Sequence, residues 1–460
     1  MKKIKMDYYI IFISTIAAFL GAFYSSVSSI ILPSLASEFG MSNILQNWVA
    51  TVFLLAIAIF SVPAGKLSER YGLKKSLAFG FFVFLIGSIG SALAFSSFSL
   101  LLFRVFQGIG GGILSITSLA MVVKILPPKE RGKGVGINVA GAYIGLSLAP
   151  VLGGILTYNF GWRSVFYFII PLVFFVLILT IFKVNTEWKI SEKESFDKIG
   201  SLLFGMGILF FIYGFTIIHQ LTGILIIIIG LLLLILFVYW ELKQKYPVFN
   251  VYLFKNLKFS SSNIASLISY FATFVITYVL NYYLQYIRGM DSQTAGFFLI
   301  VTPVLMAIIS PLSGRLSDKI NPQKLAAIGM SLVSIALFIL CFLNDSLPLY
   351  IIVFAMILQG VGYGLFVSPN TNSIMSSVPK KETSMASAAV STMRVIGQTL
   401  SLGLLTVIFA IIMGDVEIVP ANYDLLLLSS QIACIIATIL CVCAVFASVI
   451  GLKSKDKYNT

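Results

Sequence analysis

The chain has 460 residues, of which 59% are hydrophobic and 10% charged, with a mean hydropathy of +1.01. That balance excludes an ordinary soluble globular protein. The formal net charge of +14 comes from 31 Lys and Arg against 17 Asp and Glu; spread through so apolar a chain, it reports contact with a membrane surface and not a nucleic-acid site.

A helix that crosses a bilayer needs about 20 mainly apolar residues. Fourteen such segments follow one another, at 8–32, 46–64, 75–95, 98–124, 134–157, 164–184, 199–218, 222–240, 259–286, 293–314, 323–343, 348–372, 386–413 and 426–451. With the N-terminus inside, 27 of the 31 Lys and Arg fall in inner segments, Arg163 and Arg288 fall outside, and Arg104 and Arg394 lie within spans. Basic residues collect in short inner loops, so this bias supports the count and puts both termini in the cytoplasm. The positive excess then meets anionic headgroups at the inner face. No cleavable signal peptide is expected, because the first span is long and no small-residue cleavage site stands apart from it.

The first loop with content lies between spans two and three, Pro63-Ala64-Gly65-Lys66-Leu67-Ser68-Glu69-Arg70-Tyr71-Gly72. Span four carries Arg104 and, one turn on, Gln107. A guanidinium inside a bilayer costs a few kcal/mol, so it faces either a wet cavity or a structural partner such as backbone carbonyls. Span five sets Gly141, Gly145, Ala149 and Gly153 four apart on one face, with Pro150 among them and Gly154 next to Gly153. Small residues in register let another helix approach closely, and proline kinks its helix; the stretch is either a packing seam or a structural pivot. The polar segment 187–198 is a linker too short for a soluble domain. His219, the only histidine, ends span seven as either an interfacial anchor or a proton carrier.

Beyond that point the chain echoes itself. Pro311-Leu312-Ser313-Gly314-Arg315-Leu316-Ser317-Asp318-Lys319 repeats the Gly65–Glu69 loop, Gln359-Gly360-Val361-Gly362 repeats Gln107-Gly108-Ile109-Gly110, and Pro379-Lys380 repeats Pro128-Lys129, at offsets of 249 to 252. Such ordered self-similarity marks an internal duplication. It divides the chain into a six-helix half over 1–190, a two-helix insert over 191–245 and a second six-helix half over 246–460. Duplicated halves are the plan of a transporter that alternates access around a site between the repeats. Cys341, Cys434, Cys441 and Cys443 lie in spans without metal-ligand spacing and read as packing residues; neither a metal nor an organic cofactor is expected.

Taken together, the loop GKLSERYGLKK, Arg104-x-x-Gln107-Gly108-x-Gly110, Pro150-x-x-Gly153-Gly154, Phe196-Asp197-x-x-Gly200 and Tyr283-Leu284-Gln285 before Gly296 resemble the fourteen-helix drug:proton antiporters of the major facilitator superfamily. The resemblance runs over nearly the whole chain. It implies an all-α membrane protein of the major facilitator fold, with Gly65, Glu69 and Arg70 as a conformational latch that Gly314 and Asp318 repeat. It also implies a part for Arg104 in proton coupling. Where those antiporters commonly carry an Asp in helix one, this chain has Tyr24, and none of its 17 carboxylates falls at mid-membrane.

By analogy with the duplicated plan, a substrate and coupling cavity would draw on Tyr24, Arg104, Gln107, Asn138, Tyr143, Asn263, Tyr270, Gln285, Gln359, Asn370, Asn372 and Arg394. Rings supply area and amides supply orientation, which suits amphipathic organic molecules. Two intramembrane cations without a carboxylate favour neutral or anionic ligands. The expected function is proton-coupled export of hydrophobic or amphipathic compounds; the alternative is uncoupled or uptake transport of an anionic metabolite or lipid-like molecule. An enzyme is disfavoured by the single histidine and the lack of a nucleotide-binding loop. The expected partners are a small organic substrate, protons and the bilayer, for a monomer in the plasma membrane that binds no nucleic acid.

Overall fold

The computed structural model describes residues 2–41, 43–189, 196–218, 220–290, 292–379, 382–413 and 420–452; His219 lies outside them. The helices are α1 (Lys2–Phe39), α2 (Asn43–Tyr71), α3 (Leu73–Ala92), α4 (Ser97–Ile125), α5 (Arg131–Phe160), α6 (Arg163–Lys183), α7 (Lys198–Thr216), α8 (Leu221–Glu241), α9 (Leu257–Tyr282), α10 (Ser292–Leu299), α11 (Val301–Ser317), α12 (Pro322–Leu340), α13 (Leu349–Ser376), α14 (Thr383–Ile412) and α15 (Tyr423–Leu452). Among the described residues they give fourteen apolar stretches long enough to span a bilayer. The tenth is broken between α10 and α11, and the reason is local. Pro303 has no N–H to return to the Leu299 carbonyl, and the helix is interrupted at Ile300, one residue after that carbonyl.

Side chains close the helix ends. Ser96 and Ser99 form a reciprocal capping box on α4, and Asn256 caps α9. The α2–α3 corner needs Gly72, whose φ of 105° is costly for any side chain. A Cβ there would also strike the Glu187 carboxylate. Glu187 accepts from the amides of Lys74 and Lys75 at 2.9 and 3.2 Å, so the chain after α6 caps the start of α3. At the end of α9 a π-turn, Tyr283–Ile287, is closed by Arg288 N donating to Tyr283 O at 3.0 Å. The Tyr283 hydroxyl donates to Asn344 O at 2.7 Å and ties that turn to the α12–α13 loop.

Two apolar cores form. One joins residues of α1–α6 with Phe204, Ile208, Ile212 and Phe237 of α7 and α8 and with Ala386, Ala388 and Ala389 of α14. The other joins α9–α15 and takes in Tyr143 of α5. α5 packs on α1 and on α11, and α2 packs on α4, α7 and α14. Glycines set the close approaches: Cβ atoms at Gly141 and Gly145 would meet Thr15 O and Phe19 O of α1 at 2.7 and 2.5 Å, and one at Gly153 would meet Val27 at 2.5 Å. Gly154 faces open space, and α5 runs on through Pro150. α7 and α8 pair through Gly207, Gly214, Gly223 and Gly230, leaving most of the apolar surface of α8 exposed.

Candidate functional site

The residues singled out in the sequence fall into three places. The first is a closed polar cluster inside the helices α1–α6. Arg104, 1% exposed, donates Nε to Val49 O at 3.2 Å, Nη1 to Gln107 Oε1 at 2.8 Å, and Nη2 to Tyr24 O and Ser28 Oγ at 3.3 and 2.5 Å. Its guanidinium lies 4.4 Å from the Phe53 ring centre. Gln107 passes the network on, donating to Ser88 Oγ at 2.9 Å. Tyr24 stacks on Phe166 of α6 and meets Phe84 of α3 edge-on. A buried cation is tolerable when its donors are satisfied, and here backbone carbonyls, a hydroxyl and an amide satisfy them with no carboxylate. Ser28 and Ser88 were not legible as members; Ser28 lies one turn from Tyr24, the only signal it gives.

The second place is the contact between α5 and the later helices. Tyr143, 4% exposed, is buried in the second core with Val139 and Leu146 packed beside it. Its hydroxyl has no hydrogen-bond partner and lies within electrostatic reach of Tyr270, Tyr363 and Arg394. Tyr270 and Tyr363 meet edge to face, centroids 5.9 Å apart. Each of the four stands near the middle of its helix, α5, α9, α13 and α14. Tyr363 went unread from the sequence: the repeat aligns it with Gly111, so only the ring between Gly362 and Gly364 distinguishes it. Around the group, α14 is bonded to α2 by Ser61 and Thr392 at 2.8 Å and to α4 by Ser115 and Ser391 at 3.0 Å. Other amides bind helix to helix: Asn138 donates to Ser14 O, Asn370 to Ser262 O and Asn372 to Ser317 Oγ, at 2.8, 3.0 and 3.0 Å. Asn263 donates to Phe259 O of its own helix, Gln285 of the π-turn donates to Asn281 Oδ1 of α9, and Gln359 is buried on α13.

The third place is the end of the bundle that carries the basic loops. Asp318 accepts from the amides of Gly132 and Lys133 at 2.7 and 3.0 Å, completing the first turn of α5 as an N-cap side chain would. Gly314 and Gly132 make this possible, since a Cβ on either would strike the carbonyl oxygen of the other. At the equivalent point of the first copy, Gly65 faces Ser384 O and Ala388 of α14, with its Cβ position 3.2 and 3.3 Å from them. Glu69 is 2% exposed, and Arg70 lies over the Tyr71 ring at 5.6 Å.

Burial in this seam lifts the Asp318 carboxyl above its ordinary value of 3.8; the Gly132 and Lys133 amides pull it back and Glu130 adds to the rise. A raised acid binds its proton more tightly with the seam closed than in water, so that contribution to closure is complete below the ordinary value and is lost as pH rises through the raised one. A fluorophore placed at the α11 end should report a tighter seam at acid pH, and Asp318→Asn should flatten that dependence.

Long apolar helices, glycine-set seams at both copies of one loop, and a polar group enclosed where the helix groups meet define a membrane transporter. A family model described as Major Facilitator Superfamily matches residues 14–402 and 262–457, and the chain belongs to that family. It is 27% identical over 453 residues to the riboflavin transporter RibZ of Clostridioides difficile (strain 630), covering 98% of this chain and 99% of that one. It is 29% identical over 411 residues to the multidrug resistance protein Stp of Mycobacterium tuberculosis (strain CDC 1551 / Oshkosh), covering 86% and 76%. Among solved structures, the human organic anion transporter MFSD10 superposes with a TM-score of 0.70 at 12% identity, over 96% of this chain and 99% of that one, a likeness of fold.

Proposed function

We propose that the chain carries flat aromatic, uncharged or anionic amphipathic compounds across the plasma membrane, in the export direction and in exchange for protons. The observation behind this reading is the group Tyr143, Tyr270, Tyr363 and Arg394 at mid-helix, with an unsatisfied buried hydroxyl and a cation and, among the described residues, no carboxylate acting on Tyr143. A buried hydroxyl left unpaired costs about 1–3 kcal/mol, which a hydrogen-bonding substrate would recover. Tyrosine faces accept planar rings. Residues 1–190 and 246–460 are read as the two moving halves around this group, 191–245 as an insert, and α5, held on α1 and carrying Pro150 within its continuous helix, as the pivot. The Gly65–Arg70 and Gly314–Asp318 segments are read as the latch, and the acting unit as a monomer.

RibZ, matched end to end, supports a second reading, uptake or uncoupled passage of a flavin-like compound. One assay separates these. Purified protein in liposomes is given riboflavin, a lipophilic anion or ethidium, with and without an imposed pH gradient. Movement of the first two and not of the cation is expected; movement of ethidium alone would overturn the charge argument. Gradient-driven accumulation supports exchange for protons, and equilibration indifferent to the gradient supports the second reading. Tyr143→Phe removes one hydroxyl without changing shape. Its KM should rise about 5–10-fold, while its melting temperature without substrate holds or increases slightly.

A further inference from the structure

The α7–α8 pair ends, on the side of the basic loops, in two carboxylates that the site above does not use. Asp197 caps α7, accepting from Gly200 N at 2.9 Å, and its other oxygen accepts from the Trp240 indole at 2.9 Å. Glu241, the last residue of α8, is 3% exposed. One of its oxygens accepts from Phe249 N at 3.2 Å. The other, Oε1, is buried with no hydrogen-bond partner. Both carboxylates crowd one point, since a Cβ on Gly200 would strike Glu241 Oε1 and lie 2.6 Å from Asp197 Oδ2. Among the described residues the charged neighbours are Lys66 of α2, whose field reaches Glu241, and Lys198 and Lys245, which line a cavity of about 390 Å³ beside Asp197.

A buried carboxylate this close to a second one does not ionise freely, and an orphaned carboxylate oxygen is an acceptor waiting for an O–H. We propose that Asp197 and Glu241 form a proton-binding site, holding one exchangeable proton between them. Its place gives it reach. α7 packs on α2 and on α14, Lys66 follows Gly65 in α2, and Gly65 meets Ser384 of α14. Loss of the proton doubles the negative charge facing Lys66, so occupancy of the pair changes the field at the seam that closes this end of the bundle. The proton comes from and returns to water on the basic side. This link to movement rests on the proton-exchange reading; the protonation itself does not.

Infrared spectra of the full chain in nanodiscs, recorded through a pH titration, test the site without flux. The wild type should show a protonated carboxyl band near neutral pH that disappears on alkalinisation. Glu241→Gln, which keeps an acceptor for Phe249 N–H, should lose the band. Asp197→Asn should shift its titration to lower pH, because the like charge is gone, and by less than the whole rise, most of which burial causes. Glu69→Gln should leave it unchanged. A wild type without the band, or a band that survives Glu241→Gln, overturns the proposal. A band that follows Glu241 in a protein that moves none of the three probes keeps the proton site and removes the transport reading. In liposomes, riboflavin flux of Glu241→Gln should lose its dependence on the pH gradient while exchange at equal pH persists; unchanged gradient dependence overturns the link to movement.

Discussion

Arg104→Met should cost the folded protein about 1–3 kcal/mol or more, the range for leaving buried polar groups without their donor. The physical reason lies in what remains. Val49 O, Tyr24 O, Ser28 Oγ and Gln107 Oε1 all accept from this one guanidinium, and the methionine offers none of them a donor. Gln107 would then be held only through Ser88. Arg104→Lys should restore part of the loss, since an ammonium keeps the charge but not the planar fork that reaches acceptors on α1, α2 and α4 at once. The check is a pair of measurements, the melting temperature in detergent and riboflavin flux per folded molecule. A large fall in melting temperature with near-normal flux per folded molecule fits a residue that holds the first helices together. A normal melting temperature with no flux would place the guanidinium in the transport cycle instead.

The second large effect should come from Gly314→Ala. A methyl group there collides with Gly132 O, and with Ser368 Oγ at 2.9 Å. Neither α5 nor α11 can move locally without giving up the bonds from Gly132 and Lys133 to Asp318. Overpacking of this kind costs about 1–3 kcal/mol, enough to shift a two-state equilibrium by about 5- to 150-fold. The variant should stay folded but open at the basic end. Spectroscopic distances between labels at the ends of α5 and α11 should lengthen while the melting temperature changes little. Unchanged distances would mean that the seam absorbs the methyl group and does not discriminate between states.

Much of the fold was legible, because a bilayer leaves few choices: apolar runs of spanning length and a one-sided distribution of Lys and Arg specify the helices before packing is considered. The repeat in Gly65–Glu69 and Gly314–Asp318 was equally plain. What the sequence left open was which face of a helix meets which neighbour. Arg104 and Gln107 share a face by spacing alone, yet whether that face looks into the helix group or out of it is decided by α4's neighbours. Gly108 lies against Phe53 O of α2, and Gly110 against Phe84 of α3. Asp197 and Glu241 are a sharper case, far apart in sequence and brought together only because glycines let α7 and α8 pair closely. Tyr363 had no polar neighbour to mark it, and its position near Tyr270 depends on α9 and α13 crossing at their midpoints.

The cap on α5 carries one more consequence. In most helices the group that closes the first turn stands next to it in the chain, so the turn and its cap form or fray together. Here the cap comes from Asp318, beyond the end of a different helix. The amides of Gly132 and Lys133 can exchange their hydrogens with solvent only while Asp318 is away. Deuterium uptake at these two positions is therefore a clock built into the backbone, and its ticks count how often this end of the bundle comes apart.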